Sequence, residues 1–358
     1  MLKKLLFWPI VLLNILCCAG FLISGFSYLI PPVEHPTLAL APFAFPFFAI
    51  GVLFFMAFWI FISWKYAFIS ILTLLIGHVP MQKYAPITGP DEETSDNALK
   101  LISYNVHGYS MEGVPGRANS MDLILDYLKH SDADIVCLQE SYFYPGQKER
   151  VDSIYKYVES FEDQALGIGV ACLSKYPIEK VEKIEYESKG NLSACFYVRY
   201  KGELLRVMNN HLESVKLDQD DKDGFKSYIK KTLEDDSEGM EGSLRIADHI
   251  KKAAVIRQKQ AEAIADLVGE NPRNTIVLGD FNDTPLSYTN HVIGKNLTDC
   301  YAERGWLTGF SYANHGMYVR IDHTFCSKDF EVAKCFVDDM IDYSDHYPII
   351  TYLTKGGK

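Results

Sequence analysis

The sequence predicts an α/β fold for the C-terminal part of the chain, preceded by a helical region that crosses a membrane. The division rests on charge and on periodicity. The chain has a formal charge of −11, and because residues 1–80 contain only three lysines and one glutamate, residues 81–358 carry −13. From Leu99 onward, apolar runs of strand length alternate with stretches of helical periodicity. We therefore divide the chain into a membrane region (1–80), a linker (81–97) and a soluble domain (98–358).

The composition excludes two classes of chain. Hydrophobic residues make up 48% and charged residues 23% of the sequence, whereas disordered and collagen-like chains contain far fewer apolar residues. The acidic soluble domain also argues against unspecific binding to duplex nucleic acid, which needs lysine and arginine to displace counterions from phosphates.

The first apolar segment, residues 5–30, carries no charge over 26 positions, which exceeds the roughly 20 residues that a helix needs to cross the hydrocarbon core. A cleaved signal peptide is the alternative, since Lys3 and Lys4 precede the segment. The segment is too long for a signal peptide, lacks a small-x-small cleavage site and is followed by more apolar sequence. We expect a membrane-spanning helix here.

A second apolar segment covers residues 37–79. Its 43 residues would form about 65 Å of helix, enough for two crossings of about 30 Å each, so we expect two to three helices in all. If the hairpin turns near Ser63, the last helix is short. Lys3, Lys4 and Lys65 on one side of the bilayer satisfy the positive-inside tendency. Three spans then place the soluble domain outside the cytoplasm at the inner or plasma membrane, which is the topology we expect, and two spans would place it inside.

The soluble domain is predicted to contain nine strands and two helices. The strands are the apolar, β-rich runs 99–106, 134–140, 167–174, 192–200, 204–212, 275–282, 320–327, 334–340 and 347–354. Ser120 is a suitable N-cap for a helix over 120–130. A longer helix covers 246–268 and is closed by Gly269 and the Asn-Pro pair that follows. The charged stretch 216–242 has little periodicity; we expect a solvated excursion, and a substrate-selecting flap is the alternative.

The eight cysteines show neither a paired spacing nor a zinc-binding pattern. Cys137, Cys172 and Cys195 lie inside apolar runs, where a small hydrophobic residue fits a buried strand. We expect free core thiols, which count somewhat against an oxidising compartment.

Polar residues stand at or near the ends of several predicted strands, where a buried core would not accommodate them. These residues are Asn105, Glu140, His211, Asp280, Asn282, Asp322, Asp345 and His346. If the strand ends meet at one edge, clustered carboxylates repel one another unless a cation lies between them. Oxygen-rich sites without cysteine favour Mg²⁺, Mn²⁺ or Ca²⁺ over zinc. Taken singly, each motif is as typical of a turn as of a site.

Taken in order, the motifs resemble those of the endonuclease/exonuclease/phosphatase superfamily, whose best-known fold is DNase I-like. The matching segments are SYNVHG (103–108), LQE (138–140), NNHLES (209–214), LGDFND (278–283), RIDHTF (320–325) and SDHYPI (344–349). The resemblance extends from about residue 99 to 353. It implies a four-layer sandwich, in which two mixed β-sheets pack face to face and are flanked by helices, preceded here by the transmembrane helical region.

The resemblance also implies a divalent metal ion, Mg²⁺ with Mn²⁺ as a possibility. Glu140 would be the principal metal ligand. Asn105 would lie close to the metal and to the substrate phosphate, and Asp345 would contact the metal directly or through water. No other cofactor is indicated.

The remaining motif residues would carry out the reaction. Asp280 would orient or deprotonate the attacking water, and Asn282 would hold that water or a phosphoryl oxygen. His346 would stabilise the transition state or protonate the leaving group, with Asp322 fixing its tautomer, and His211 would bind the phosphate or assist the leaving oxygen. Phosphoester hydrolysis at neutral pH needs a cation, a positioned water and a proton donor, which agrees with this set.

Two of these residues have structural alternatives. Asp322 could form a salt bridge with Arg320, and His211 could be an ordinary half-buried histidine. Tyr142 stands where abasic-site nucleases of the superfamily carry lysine, which argues against a DNA-repair role. Tyr142, Phe143 and Tyr144 could stack on bases, but packing is the more common role of such residues.

The sequence therefore predicts a membrane-anchored, metal-dependent phosphoester hydrolase acting on lipid head groups or other phosphodiesters near the bilayer. The expected partners are a phosphoester substrate (lipid head group, nucleotide or nucleic acid) and the lipid bilayer, and no protein partner is indicated. One alternative is a membrane-tethered, unspecific nuclease. Another is a non-catalytic binding module, which would have lost motif residues; the sequence shows no such loss.

Overall fold

The computed structural model describes most of the chain. The described residues are 2–90, 97–110, 120–143, 146–163, 167–188, 190–215, 237–314 and 317–356. The predicted excursion lies outside them up to residue 236, and so does Tyr144.

Four helices form the N-terminal region. They are α1 (Leu2–Phe26), α2 (Ala41–Ile62), α3 (Trp64–Ile76) and α4 (His78–Tyr84). The helical segments Phe7–Leu29 and Pro36–Ile62 are each long and apolar enough to cross a membrane. The chain breaks at Ser63, so α3 has only 13 residues, and α3 and α4 form a third candidate span that is bent by 62°. Because α4 continues to Tyr84, the segment expected to be a linker begins with a helix.

The soluble domain contains fourteen strands and five helices among the described residues. The strands are β1 (Leu99–Asn105), β2 (Ile135–Gln139), β3 (Tyr157–Asp163), β4 (Ile168–Ser174), β5 (Ile178–Lys183), β6 (Ser193–Tyr200), β7 (Glu203–His211), β8 (Thr275–Asp280), β9 (Thr298–Asp299), β10 (Tyr312–Asn314), β11 (Met317–Val319), β12 (Asp322–Cys326), β13 (Phe330–Val337) and β14 (Ile349–Lys355). The helices are α5 (Met121–Ser131), α6 (Gln147–Asp152), α7 (Ser237–Glu270), α8 (Tyr288–Ile293) and α9 (Cys300–Arg304).

Two six-stranded sheets account for most of these strands, and β10 and β11 form a separate hairpin. The first sheet has the order β13-β14-β1-β2-β4-β3 and the second β5-β6-β7-β8-β12-β9. Among the described strands, only β1–β2 and β7–β8 pair in parallel, so both sheets are mixed.

Side chains of alternate residues separate the layers of the sandwich, as the two-residue period of a strand requires. In β1, Leu101 faces the core between the sheets, whereas Ile102 faces α5. In β8, Leu278 faces the same central core, and Val277 packs against α7. The order of layers is therefore helix, sheet, sheet, helix, which confirms the predicted DNase I-like sandwich. Cys137, Cys172 and Cys195 are buried, and all eight cysteines are free thiols.

Several boundaries differ from the sequence predictions. Helix α7 begins nine residues before the predicted start, and Gly269 lies inside it. Ser120 precedes α5, but its side chain makes no capping hydrogen bond. The strands β3 and β5 were not predicted. Each is an edge strand of its sheet and carries several charged residues, a composition that suits an edge exposed to water.

The N-terminal helices pack directly on the soluble domain. The Tyr28 ring lies 4.8 Å from the ring of His291 in α8. The Val33 backbone N–H donates a 2.9 Å hydrogen bond to Oε1 of Gln258 in α7. Leu286 is fully buried in a cluster that otherwise consists of side chains from the N-terminal region. These contacts fix the soluble domain against the N-terminal region.

Candidate active site

The first sheet brings two motif segments to one edge. Because β1 and β2 are parallel, Asn105 and Gln139 pair at their carboxyl ends, and Glu140 follows directly. Strand β14 is antiparallel to β1, so the residues before it, Asp345 and His346, return to the same edge. The Ser344 hydroxyl holds this segment against β1, because it donates a 2.8 Å hydrogen bond to the Asn105 carbonyl.

The second sheet contributes the facing half of the site by the same rule. Strands β7 and β8 are parallel, and His211 and Asp280 are partners in register at their carboxyl ends. Strand β12 is antiparallel to β8 and begins with Asp322, which lies opposite Asp280. All eight residues singled out in the sequence therefore lie at the same edge of the sandwich.

Asn105 joins the two halves. Its Nδ2 donates to Glu140 Oε1 at 3.1 Å and, across the sandwich, to Asp280 Oδ2 at 3.0 Å. Its Oδ1 accepts the His107 backbone N–H at 3.0 Å. Since Asn105 is fully buried, these bonds hold the two carboxylates at a fixed separation.

Asp280 is a fully enclosed carboxylate, with 1% of its surface exposed. The Asn282 backbone N–H donates to its Oδ1 at 2.8 Å, and the Nε2 atoms of His346 and His211 lie 3.7 and 3.8 Å from its Oδ2. Burial raises the pKa of Asp280 to about 6, an effect that the neighbouring His346 opposes. Asp280 is thus ionised at neutral pH but holds a proton more readily than an exposed carboxylate.

His346 and Asp322 form a hydrogen-bonded couple. His346 Nδ1 lies 2.8 Å from Asp322 Oδ2, and both side chains are buried. Burial alone would lower the pKa of His346, but Asp322 and Asp280 together raise it well above its ordinary value. The imidazole is therefore cationic at neutral pH. The Tyr312 ring packs edge-on against it at 5.0 Å.

Arg320 does not pair with Asp322. Its guanidinium donates instead to the backbone oxygens of Thr308 and Lys83 and stacks 4.0 Å from the Tyr301 ring. The Asp322 backbone N–H donates to Ser311 Oγ at 3.0 Å, and among the described residues Asp322 Oδ1 has no hydrogen-bond partner. Asp322 is therefore directed at His346 alone.

His211 is held in place by Asn191. Asn191 Nδ2 lies 2.8 Å from His211 Nε2, and Asn191 Oδ1 accepts the Ser214 backbone N–H at 3.4 Å. Its Nε2 also lies 3.6 Å from Glu140 Oε1, so His211 lines the site between Glu140 and Asp280.

Asn282 is held by the backbone. Its Nδ2 donates to the Leu212 carbonyl at 3.0 Å, and its φ of +51° lies in the left-handed region that asparagine tolerates. The residue thereby closes the turn after β8 and stays half-buried beside Asp280.

Glu140 and Asp345 face the mouth of the site, with His107 between them. The Glu140 side chain is 34% exposed, and His107 Nδ1 lies 3.6 Å from Glu140 Oε2 and 3.5 Å from Asp345 Oδ1. The sequence argument did not select His107, although it lies inside the SYNVHG motif two residues after Asn105. Its place in that motif is the feature of the sequence by which His107 could have been selected.

The donor set suits a hard divalent cation. Asp280, Asp322 and His346 offer ligand atoms that lie within 4.8 Å of one another, but the short bond between His346 and Asp322 already uses two of those atoms. The other two carboxylates of the site, Glu140 and Asp345, lie beside His107, with side chains that are 34% and 8% exposed. Carboxylate and amide oxygens are the ligands that Mg²⁺ and Mn²⁺ prefer.

Buried polar residues behind the site were also missed. Asn209 Nδ2 donates from the second sheet to the Leu138 and Ala171 carbonyls of the first, at 2.9 Å each. Arg257 of α7 bonds Asp283 and the Glu213 carbonyl, tying together the loops that follow β8 and β7. Asn209 and Asp283 lie in recognisable motifs, but nothing in the sequence singles out Arg257.

Comparison with known families agrees with this geometry. The model of the Endonuclease/Exonuclease/phosphatase family matches residues 102–346, more than half of the chain. The chain belongs to this family. Members of the endonuclease/exonuclease/phosphatase family are enzymes that hydrolyse phosphoester bonds, so the predictions of the family and of an enzyme of this class are confirmed. A second family model, a domain of unknown function (DUF8431), matches residues 3–84. A search of curated protein sequences found no match.

Solved structures share the fold of this family member at low sequence identity. TDP2 from D. rerio, in complex with a single-strand DNA product, is 18% identical, with 73% of this chain and 100% of that chain covered and a TM-score of 0.51. An endonuclease/exonuclease/phosphatase family protein from Bacteroides thetaiotaomicron is 18% identical, with 73% and 99% covered and a TM-score of 0.51. The human Nocturnin catalytic domain with bound sulfate is 14% identical, with 72% and 94% covered and a TM-score of 0.50. At these identities the likeness establishes the fold.

Proposed function

We propose that this protein is a membrane-anchored phosphoester hydrolase that depends on a divalent metal ion, Mg²⁺ or Mn²⁺. The observation that carries the proposal is the contact between a buried carboxylate, Asp280, and a buried imidazolium, His346, beside the amide of Asn105. A proton acceptor beside a proton donor, at an edge that also carries metal-ligand types of side chain, supports general acid–base catalysis of phosphoester hydrolysis.

The acid and the base are separated by their environments. Asp280 is ionised at neutral pH and accepts the proton of a water molecule, while its other oxygen is held by the Asn282 N–H. His346 is cationic because Asp322 stabilises its charge, so it can donate a proton to the leaving oxygen. His211, held by Asn191 beside Glu140 and Asp280, would contact a phosphoryl oxygen. General acid and base catalysis of this kind contributes about 10²–10⁴-fold each.

Glu140 and Asp345 would hold the metal ion, and Asn105, whose Nδ2 donates to Glu140 and Asp280, would lie beside it. When bound, a divalent cation neutralises the non-bridging phosphate oxygens and polarises the phosphorus centre. His107 lies between the two carboxylates and completes the rim of this site.

The N-terminal helices supply the membrane anchor in this proposal. Two spans are long enough to cross a bilayer, and the bent pair α3 and α4 would supply a third. With three spans the lysines near the N-terminus and Lys65 lie on the cytoplasmic side, and the catalytic domain lies outside the cytoplasm.

The test is hydrolysis by the full chain in detergent micelles. We expect cleavage of bis(p-nitrophenyl) phosphate that requires Mg²⁺ or Mn²⁺ and is abolished by EDTA. Asp280→Asn should remove this activity, and Asp126→Asn, on the exposed face of α5, should keep it. Metal-independent turnover, or equal turnover of both variants, would contradict the proposal. Faster cleavage of plasmid DNA than of any lipid phosphoester would favour the alternative of a tethered nuclease.

A further inference from the structure

The edge of the sandwich that carries the active site lies against the N-terminal helices. Leu286, which follows the catalytic loop after β8, is buried in one cluster with Phe21 of α1. The backbone oxygen of Lys83, at the end of α4, accepts a hydrogen bond from Arg320, two residues before Asp322. The active site therefore opens beside the surface of the bilayer in which the proposed anchor is embedded.

A crevice of about 460 Å³ adjoins this edge between α9, the β10–β11 hairpin and β13. Aromatic and apolar side chains form most of its lining, among them Tyr301, Trp306, Phe310, Tyr318, Phe336 and Val337. Arg304 and Lys334 add two cationic groups. Both the size and the largely apolar lining are typical of small-molecule sites, which measure about 300–1,000 Å³.

The crevice shares a wall with the active site. Tyr347 lines the crevice and directly follows His346. Ala313 lines it as well, and its backbone N–H donates to the Asp345 carbonyl at 3.3 Å. The Tyr312 ring, one residue before Ala313, packs against the imidazole of His346. Residues 312–313 and 346–347 therefore separate the crevice from the active site, and a ligand whose apolar part fills the crevice would reach His346 with a polar end that extends past this wall.

Exposed apolar side chains extend this wall toward the N-terminal helices. Trp306, Leu307 and Ile87 are 57%, 52% and 75% exposed. The Leu307 backbone N–H donates at 2.7 Å to the carbonyl of Pro86, in the segment that leaves α4. Tryptophan is enriched at membrane–water interfaces, and an apolar patch continuous with a membrane helix suits contact with lipid.

We propose that the crevice binds the hydrophobic part of a membrane phospholipid, whose phosphoester then lies beside His346. This inference rests on the proposed hydrolase activity and names its substrate class. A groove with aromatic and cationic side chains also suits single-stranded nucleic acid. The net charge of −13 on residues 81–358 and the position of the crevice beside the membrane helices favour the lipid.

The kinetic test compares two substrates that contain the same phosphodiester. One is long-chain phosphatidylglycerol in nanodiscs that also hold the full-length protein, and the other is its soluble deacylated form, glycerophosphoglycerol. We expect the ratio of kcat/KM to favour the acylated substrate. Val337→Trp, which fills the crevice, and Tyr318→Ala, which removes part of its exposed wall, should each lower that ratio about tenfold, equivalent to about 1.4 kcal/mol. Leu123→Trp, a similar change at an exposed position of α5, should leave the ratio unchanged.

Two results would overturn the lipid site: an unchanged ratio in both crevice variants, or single-stranded DNA cleaved faster than lipid in a manner that both variants abolish. A measurement of lipid binding tests the lipid site separately from the proposed hydrolase activity. In the Asp280→Asn protein, phosphatidylcholine with brominated acyl chains should quench the emission of Trp306, isolated by comparison with a Trp306→Phe derivative. Quenching without hydrolysis by the native protein would support the lipid site and contradict the hydrolase, whereas an absence of quenching would contradict the lipid site.

Discussion

Replacing Asp322 with asparagine should remove the charge that keeps His346 cationic while preserving the size of the side chain. The two atoms that meet are 2.8 Å apart and both residues are buried. A pair of unit charges about 4 Å apart interacts by about 4 kcal/mol at the effective dielectric constant of such sites. If that interaction supports the acid in the transition state, its loss lowers kcat by about 10³-fold. The KM should change much less, since Asp322 faces His346 and not the substrate.

The leaving group separates a chemical role from a structural one. A p-nitrophenolate leaves without help from an acid, whereas an alkoxide needs a proton. We therefore expect Asp322→Asn to lose most of its activity on an alkyl phosphodiester and little on bis(p-nitrophenyl) phosphate. Equal losses on both substrates would refute the assignment of His346 as the acid. Thermal unfolding serves as the folding control: the variant should be less stable than the native protein by no more than the cost of one unpaired buried amide, about 1–3 kcal/mol.

Three further predictions concern other residues of the site. Because the pKa of Asp280 is about 6, kcat on an activated diester should fall as the pH drops below that value, and Asp280→Asn should lower kcat by about 10²–10⁴-fold at pH 7 and abolish this pH dependence. Glu140→Gln should weaken Mn²⁺ binding by about tenfold or more, measured by electron paramagnetic resonance, with the exposed Glu149→Gln as the control. Burial, assisted by a nearby arginine, lowers the pKa of His323 to about 3, and its Nε2 lies 2.8 Å from the Asp283 carbonyl. As the pH falls below about 6.5, the unfolded chain takes up a proton at this histidine and the folded protein does not, so stability is lost by about 1.4 kcal/mol per pH unit. His323→Gln should therefore show a smaller decrease of the unfolding temperature between about pH 7.5 and pH 5 than the native protein, by about 4–8 °C; an equal decrease would be inconsistent with a neutral buried histidine.

The buried strands could be predicted from the sequence because they are covered on both faces. Residues 275–280 are entirely buried, and their uninterrupted apolar run carries the signal. The edge strands β3 and β5 could not be found in the same way. Each contains several charged residues, three in β3 and four in β5, a composition that also suits a loop.

The candidate site was predictable to the extent that its residues fall at strand ends. Asn105, Asp280 and the others stand in short motifs whose order is specific. Asn191 and Ser311 could not be selected, because their roles arise from contacts with His211 and Asp322 that lie far away in the sequence. The contacts of the N-terminal helices with α7 and α8 could not be predicted for the same reason. An apolar helix indicates that some surface covers it, but its sequence does not say which surface.

The backbone of the site is strained at the positions where its chemistry is concentrated. Glu140 and His107 have φ values of +50° and +46°, a region that costs residues other than glycine and asparagine about 1 kcal/mol or more. Glycine at position 140 would avoid that cost, yet the chain carries a carboxylate there. The strand β2 ends at Gln139, and the left-handed turn directs the next side chain into the space shared with Asn105 rather than along the sheet. The strain is offset by the buried sandwich that holds both strands in register, so the site depends on the core for its geometry.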